Sequence, residues 1–580
     1  MPIVCCLLFF WSSTFYLLQA QTVRGTVVDK NTQLPIEGAV VQLLDYDRII
    51  IDLTDEAGRF ELMDIPDGKH RLAAEAAGHE PAIYPFETPQ TQRIWIEMVP
   101  LLSNNPKRVA ERWNTSVTTA SQKAERLINV PATTHVVTAQ EIQERGYTTL
   151  TDVLEDIPEI EIQHKADGLY ANFITIRGVQ GNERFLVLLD GMRITAMATT
   201  RHAIDQNYWM RYAERIEVVL VPSSALYGAD AFTGVINIIS KKGADHRGGE
   251  AQGSYGMYQT TENGFYLGFG KPQCSVALSG GFYHSAEPNL SRFYPQAYAW
   301  YNEQYHINGN LLVGPSALDT VQLPPQPFAM PRMAYYGQAV LHRKNLQLGV
   351  VHHAQTHSSA MGNEPAYAPP MAAARYGIAV TNAFVQHQLA DPQKRRWRIQ
   401  SALNWNFYTL KTDSRFINSV SNYQKAYKYG FNHNIKLREL FSYQLHRQHS
   451  ILVGFSTQYT HALPKTSDLP RPYRPLVPAS TQGYVYLGTD IEDKDGNALS
   501  VSQDFYYLDQ YYGGVFLQYQ GNFNDGLMVT VGGRFDYSLS QLRGDNSSQT
   551  YGDFNPRVGL VWRPVEVLRY RLFYREAFLA

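Results

Sequence analysis

Cysteine is almost absent from this chain, with three in 580 residues. Two of them, Cys5 and Cys6, stand in the first apolar stretch, so beyond it only Cys274 remains. That excludes an intrachain disulfide and a thiolate metal cluster. Long hydrophobic runs are also missing after the N-terminus, and mean hydropathy is −0.30, which argues against membrane-spanning helices. Charge of neither sign is in excess: 51 basic residues stand against 53 acidic ones, so no nucleic-acid partner is expected. No His-Glu-x-x-His and no phosphate-binding loop occurs, and an enzymatic step, a resident cofactor and a bound metal are therefore not expected. The one His-x-x-Glu, at His284 and Glu287, falls where a strand is expected to end.

Aromatic residues, by contrast, are plentiful at 12%, including 38 Tyr. The N-terminal VCCLLFFWSSTFYLLQAQ reads as a secretory signal peptide over 1–20, cleaved after Ala20. The run is shorter than the roughly 20 residues that an anchor helix needs. From 21 to 100, segments such as VRGTVVD, GAVVQLL and GRFELMDIPDG are short strands between Gly, Pro and Asp turns, a pattern that predicts a small β-sandwich. Residues 101–127 are polar and irregular, a linker by composition.

From 128 to 243, Thr138 and Glu141 form a capping box ahead of AQEIQERG. The spacing Leu150, Val153, Leu154, Ile157 predicts a second short helix stopped at Pro158. FITIRG, RFLVLLDGMRI, RIEVVLV and GVINIIS read as strands, so this stretch is a compact α+β domain. From 244 to 580 a period of two takes over. Trp397, Ile399, Leu403, Trp405 and Phe407 share one face, while Arg398, Gln400, Asn404 and Asn406 share the other. The same alternation sets Val529, Val531, Phe535 and Tyr537 against Thr530, Arg534 and Asp536. One face suits lipid and the other a wet lumen, with tight turns at one end of the strands and long loops at the other. About a dozen such strands are legible, fewer than the 22 or so of a large closed barrel.

Taken together, ITIRGVQGNERFLVLLDGMRIT and ERIEVVLVPSSALYGADAFTGVINIIS resemble the plug of TonB-dependent outer-membrane transporters. The N-terminal sandwich, through Gly25, Pro35, Gly38, Gly58, Phe60, Pro66 and Gly68, resembles the carboxypeptidase regulatory-like module, a transthyretin-like fold. The resemblance implies a mainly β protein of the Gram-negative outer membrane: sandwich, plug and an incomplete antiparallel transmembrane β-barrel. The final LFYREAFLA resembles a motif from the middle of family barrels, so the sequence is expected to be a fragment ending at Ala580.

The resemblance also implies partners and sites. An energy-coupling segment that pairs with TonB and its inner-membrane energising complex is placed at Asn114, Thr115, Ser116, Val117, Thr118, Thr119, Ala120 and Ser121. Arg177, in Ile176-Arg177-Gly178, is implied to point into a lock of charges between plug and barrel. Leu220 and Val221 stand before Pro222 where relatives carry a basic residue and a glycine, so a second lock arginine is expected to be missing. Arg193, Arg201, His202, Tyr208 and Trp209, in RITAMATTRHAIDQNYWM, are the expected contacts for a large solute such as a metal chelate. The implied cargo is a ferric siderophore, haem or cobalamin, with an oligosaccharide importer or a non-transporting surface receptor as alternatives. His352, His353, His357 and Met361 form a set with the donors to meet haem iron or copper.

Overall fold

The computed structural model describes most of residues 21–576. Outside the described residues lie 1–20, 100–115, 120–124, 196–201, 473–483, 486–504 and 577–580, with breaks of one to five residues elsewhere. The signal peptide and most of the linker therefore fall outside them.

The chain divides into two compact units, 1–115 and 116–580. The first is a β-sandwich. One sheet orders Arg59–Ile65, Gln21–Asp29 and Ile94–Met98; the other orders Ile51–Leu53, Val40–Leu44, Gly68–Glu75 and Ala82–Thr88. Inward positions alternate along each strand and meet in a core that includes Val27, Val41, Phe60, Leu72 and Ile96. Gly25 has to be glycine because a Cβ there would lie 2.3 Å from the Phe60 ring and 2.7 Å from the Ile94 carbonyl.

The second unit combines the α+β domain with a long sheet. Helix α1 (Ala139–Glu144) starts at Thr138, whose hydroxyl caps the Glu141 amide while the Glu141 carboxylate returns to the Thr138 amide. Helix α2 (Leu150–Glu155) opens on a second box of the same chemistry, Thr149 with Asp152. Their apolar sides, Ile142, Leu150, Val153 and Leu154, join a core with the five-stranded sheet. That sheet orders Thr134–Thr138, Ala213–Val219, Gly234–Ser240, Phe185–Leu189 and Met192–Arg193. A short helix, α3 (Ser224–Tyr227), follows the second of these strands.

The long sheet is an antiparallel path of strands β1 (Gly248–Gly256), β2 (Thr260–Lys271), β3 (Cys274–Ser285), β4 (Arg332–Arg343), β5 (Leu346–Ser358), β6 (Arg375–Ala390) and β7 (Trp397–Leu410). It continues through β8 (Phe431–His446), β9 (His449–Leu463), β10 (Leu508–Asn524), β11 (Leu527–Leu542), β12 (Ser548–Val565) and β13 (Leu568–Arg575). Among the described residues β1 and β13 do not pair with each other. Turns such as those after β2, β4 and β8 are tight; the segments after β3, β5, β7 and β9 are long.

Both faces follow the period-two reading. Leu403, Trp405, Val531, Phe535 and Tyr537 are exposed on the outer face, whereas Asn404, Asn406, Thr530, Arg534 and Asp536 are buried toward the lumen. Register fixes the height of the outer apolar band. Phe407, His433 and His461 are cross-strand partners in one row, and Trp397 with Tyr443, continuing to Ile451 and Tyr519, forms another. Ten residues of β8 separate the rows, about 34 Å along a tilted strand and about 26 Å of height, the band expected between two aromatic girdles. One polar pair interrupts it, where Ser401 Oγ donates to Glu439 at 2.7 Å.

Candidate functional site

Four residues of the expected coupling segment, Ser116 to Thr119, lie among the described residues; Asn114, Thr115, Ala120 and Ser121 lie outside them. Ser116 and Val117 pair antiparallel with Glu125 and Arg126. The segment is held on the α+β domain by one buried carboxylate, Glu217, which is 0% exposed in the middle of strand Ala213–Val219. Its Oε2 accepts from the Thr118 amide at 3.0 Å, the Thr119 amide at 3.0 Å and the Thr119 hydroxyl at 2.6 Å. Its Oε1 accepts from Arg215, with Nε at 2.9 Å. Asn237 Nδ2 donates to the Thr119 hydroxyl at 3.0 Å, and the Tyr227 hydroxyl of α3 donates to the Thr119 carbonyl at 2.8 Å.

Burying a carboxylate is costly unless every lone pair is met, and here the segment supplies three of the donors. Val117 adds an apolar anchor in a cluster with Leu127, Val130, Val136, Val219 and Val221, against which Phe573 of β13 packs. Phe573 pairs with Gly559, which pairs with Thr530 near the tight turn between β10 and β11. The dock therefore lies at the short-turn end.

Leu220 and Val221, the positions without the expected arginine and glycine, are both buried: Leu220 in the domain core and Val221 beside Val117. Apolar packing fills these positions.

At the long-loop end a different set of charges joins domain to wall. Arg332, at the start of β4, forms an ion pair with Asp205 and lies 3.6 Å from Glu287 in the loop after β3; Lys165 pairs with the same Glu287. Asp205 and Lys165 belong to the inner domain, so two cations and two carboxylates alternate across the boundary. Asn172 Nδ2 also donates to Asp205 Oδ1 at 3.2 Å.

Among the described residues Arg177, the expected lock residue, forms no ion pair. Arg177 is exposed with φ +51°, and Gly178 follows at φ +78°. The two make the turn between Phe173–Ile176 and Val179–Gln180, which directs the guanidinium outward.

The expected solute contacts divide. Arg201 lies outside the described residues. Arg193 is half-buried, its Nε donating to Thr195 Oγ1 at 3.1 Å and its carbonyl accepting from Asn382 Nδ2 at 2.7 Å. His202, Tyr208 and Trp209, expected to contact a solute, sit in the interior instead, none more than 5% exposed. Trp209 wedges against the wall in a hollow left by Gly264 and Gly281, where added Cβ atoms would come within 2.9 Å and 2.4 Å of its ring. Burial, with Arg193 nearby, pushes His202 down from 6.5 to about 3, so its ring is neutral.

The histidine set of β5 is likewise dispersed. His353 Nε2 donates to the Ile194 carbonyl at 3.2 Å and its Nδ1 accepts from Asn207 at 3.2 Å. His357 donates to the Gly168 carbonyl at 3.1 Å, while His352 faces outward, hydrogen-bonded to Thr381. Both nitrogens of His353 are engaged in fastening the wall to the inner domain. No group of three His, Cys, Asp or Glu side chains among the described residues is arranged for a metal.

A strand wall with an apolar outer band, wrapped on an inner α+β domain, defines the class of outer-membrane receptors with an internal plug. Three family profiles match the chain: "Carboxypeptidase regulatory-like domain" at 22–99, "TonB-dependent Receptor Plug Domain" at 126–235 and "TonB dependent receptor-like, beta-barrel" at 356–580. The chain belongs to the TonB-dependent receptor family of the outer membrane.

Among curated relatives it is similar to the iron-regulated outer membrane virulence protein of Vibrio cholerae, 35% identical over 144 residues, 24% of this chain and 22% of the relative. It is also similar to the vitamin B12 transporter BtuB of Vibrio vulnificus, 37% identical over 136 residues, 23% of this chain and 22% of the relative. The matches thus span about a fifth of those relatives' length. Among solved structures, the pyoverdine outer membrane receptor FpvA of Pseudomonas aeruginosa shares the fold, with TM-score 0.54, 15% identity, and 79% of this chain and 64% of that one covered. So does the ferric-catecholate import receptor Fiu of E. coli, with TM-score 0.51, 13% identity, and 79% and 71% covered.

Proposed function

We propose that this receptor imports a large, scarce solute, a ferric siderophore, haem or cobalamin, across the outer membrane in a TonB-dependent step. The observation that carries this reading is the dock of Ser116–Thr119 on Glu217. It makes the segment a strand-forming handle, fastened to the plug sheet at the short-turn end by contacts that a pull can undo. In this reading the handle pairs with TonB by strand addition, and the inner-membrane complex supplies the force. No bond of the solute is made or broken. Arg193 and Arg201 are the charges proposed to meet an anionic chelate. The names of the relatives, an iron-regulated protein and a vitamin B12 transporter, support the choice of cargo.

The test is a deletion of residues 114–121 in cells offered labelled ferric chelates, haem, cobalamin and oligosaccharides. An importer loses accumulation of its solute and keeps surface binding. Undiminished accumulation would overturn the reading, and binding without accumulation in the undeleted protein would make it a surface receptor.

A further inference from the structure

We infer that the outer face of the wall carries a site for an anionic, phosphate-bearing membrane lipid, with an acyl chain in a groove across β3 to β7 and the phosphate on Lys411. The groove has a volume of about 490 Å³ and lies within the apolar band. Its walls are Val350, Val385, Leu403 and Trp405, exposed by 48%, 40%, 47% and 37%. Its floor is a consequence of register. Ala339, Val350, Ala383 and Trp405 are successive cross-strand partners, so two alanines alternate with two large side chains and leave a dent between them. A dry channel at this depth takes hydrocarbon.

Above the groove the same strands turn polar. His352 stacks on Tyr335 at 5.5 Å, and its Nδ1 bonds to Thr381 Oγ1 at 2.8 Å. Lys411, just past β7, does not extend into water. Its stem crosses Gly377, where an added Cβ would lie 2.8 Å from Lys411 Cδ. Its ammonium donates to Thr356 Oγ1 at 2.9 Å and rests over the Tyr335 ring at 5.4 Å. Glycine at 377 is what lets the stem lie flat. Among the described residues Lys411 forms no ion pair, and the nearby Asp413 pairs with Arg375 at 2.6 Å. The ammonium thus holds a positive charge and unused donors at headgroup level. Six residues of β5, about 20 Å along the strand, separate Thr356 from Val350. One amphiphile with its headgroup at the rim spans that distance, whereas a free phosphate would leave the groove empty.

Native mass spectrometry of the receptor in mild detergent, with phosphatidylglycerol or diacylglycerol added at equal concentration, tests this. Phosphatidylglycerol is expected to stay bound and diacylglycerol to be lost. Lys411→Gln should weaken retention about tenfold. Ala383→Phe, which fills the dent from a lipid-facing position, should abolish it, and Ala339→Phe should do the same should the first variant fold poorly. Equal retention of both lipids by the unmodified receptor, or retention unchanged by Lys411→Gln or by the groove-filling variants, would overturn the proposal.

Discussion

Two buried carboxylates of the plug, Asp205 and Glu217, are satisfied in opposite ways. Asp205 is met across the boundary by Arg332 of the wall, inside a chain of charges that also includes Glu287 and Lys165. Glu217 is met by Arg215 of its own strand and by neutral donors of Thr118 and Thr119. Separating plug from wall at the first site breaks two ion pairs, Arg332 with Asp205 and Lys165 with Glu287, and leaves Asp205 without its cation. Withdrawing the segment at the second removes three donors but leaves the Arg215 pair intact. The first attachment is therefore the harder to break, and in the proposed function a pull on the segment frees it before it moves the plug.

The largest effect is expected from Arg332→Ala, which leaves Asp205 and Glu287 facing each other without their shared cation. Breaking a buried pair in this way costs about 3–5 kcal/mol. Amide hydrogen exchange should rise in the plug around Asp205 while the strands of the wall stay protected. Glu217→Gln is expected to cost about 1.5–3 kcal/mol, the value of hydrogen bonds to a charged group. A nitroxide at Thr118 would report it as a shift from an immobile to a mobile spectrum. Gly281→Leu tests the wall contact that is neither charge nor handle: crowding Trp209 should cost about 1–3 kcal/mol and lower the unfolding temperature.

A pH titration reports on the interior of the plug through His202. His202 stays neutral in the folded plug down to about pH 3 and ionises near 6.5 once unfolded, so plug stability is full above 6.5 and falls as the pH drops from there toward 3. His202→Gln should flatten that fall, seen in thermal unfolding across the window. The smallest effect belongs to Arg177→Ala. An exposed turn residue changes stability by about 0.5 kcal/mol or less, and uptake should be unaltered.

Much of this fold was legible because it rests on local chemistry. The Thr138–Glu141 box placed the first helix, and the apolar spacing from Leu150 placed the second. The Thr149–Asp152 box escaped notice because aspartate is the rarer partner in that pattern. Period-two alternation assigned the faces of β7 and β11 correctly, since a strand between lipid and lumen has no other way to satisfy both.

The sites were less legible. Asp205 and Arg332 meet only through the packing of plug on wall, and no spacing announces such a pair. Glu217 did leave a signal: it is the single acid in a run of buried residues from Ile216 to Val221, and such a residue needs a partner. Arg177 fits its motif, and its backbone, left-handed at 177 and 178, leaves the side chain exposed among the described residues. The segment placed at 114–121 by resemblance makes its dock through Thr119, whose side chain and amide are both bound to Glu217.

The most direct test of the handle is to fasten it. With Cys274 replaced by serine, cysteines at Thr119 and Asn237, whose side chains are 3.0 Å apart, can be bridged by a short bifunctional thiol reagent. The account predicts that the bridged receptor still binds its solute at the cell surface but accumulates none, and that either single-cysteine variant treated alike imports normally. Accumulation at the unmodified rate with the bridge in place would contradict it.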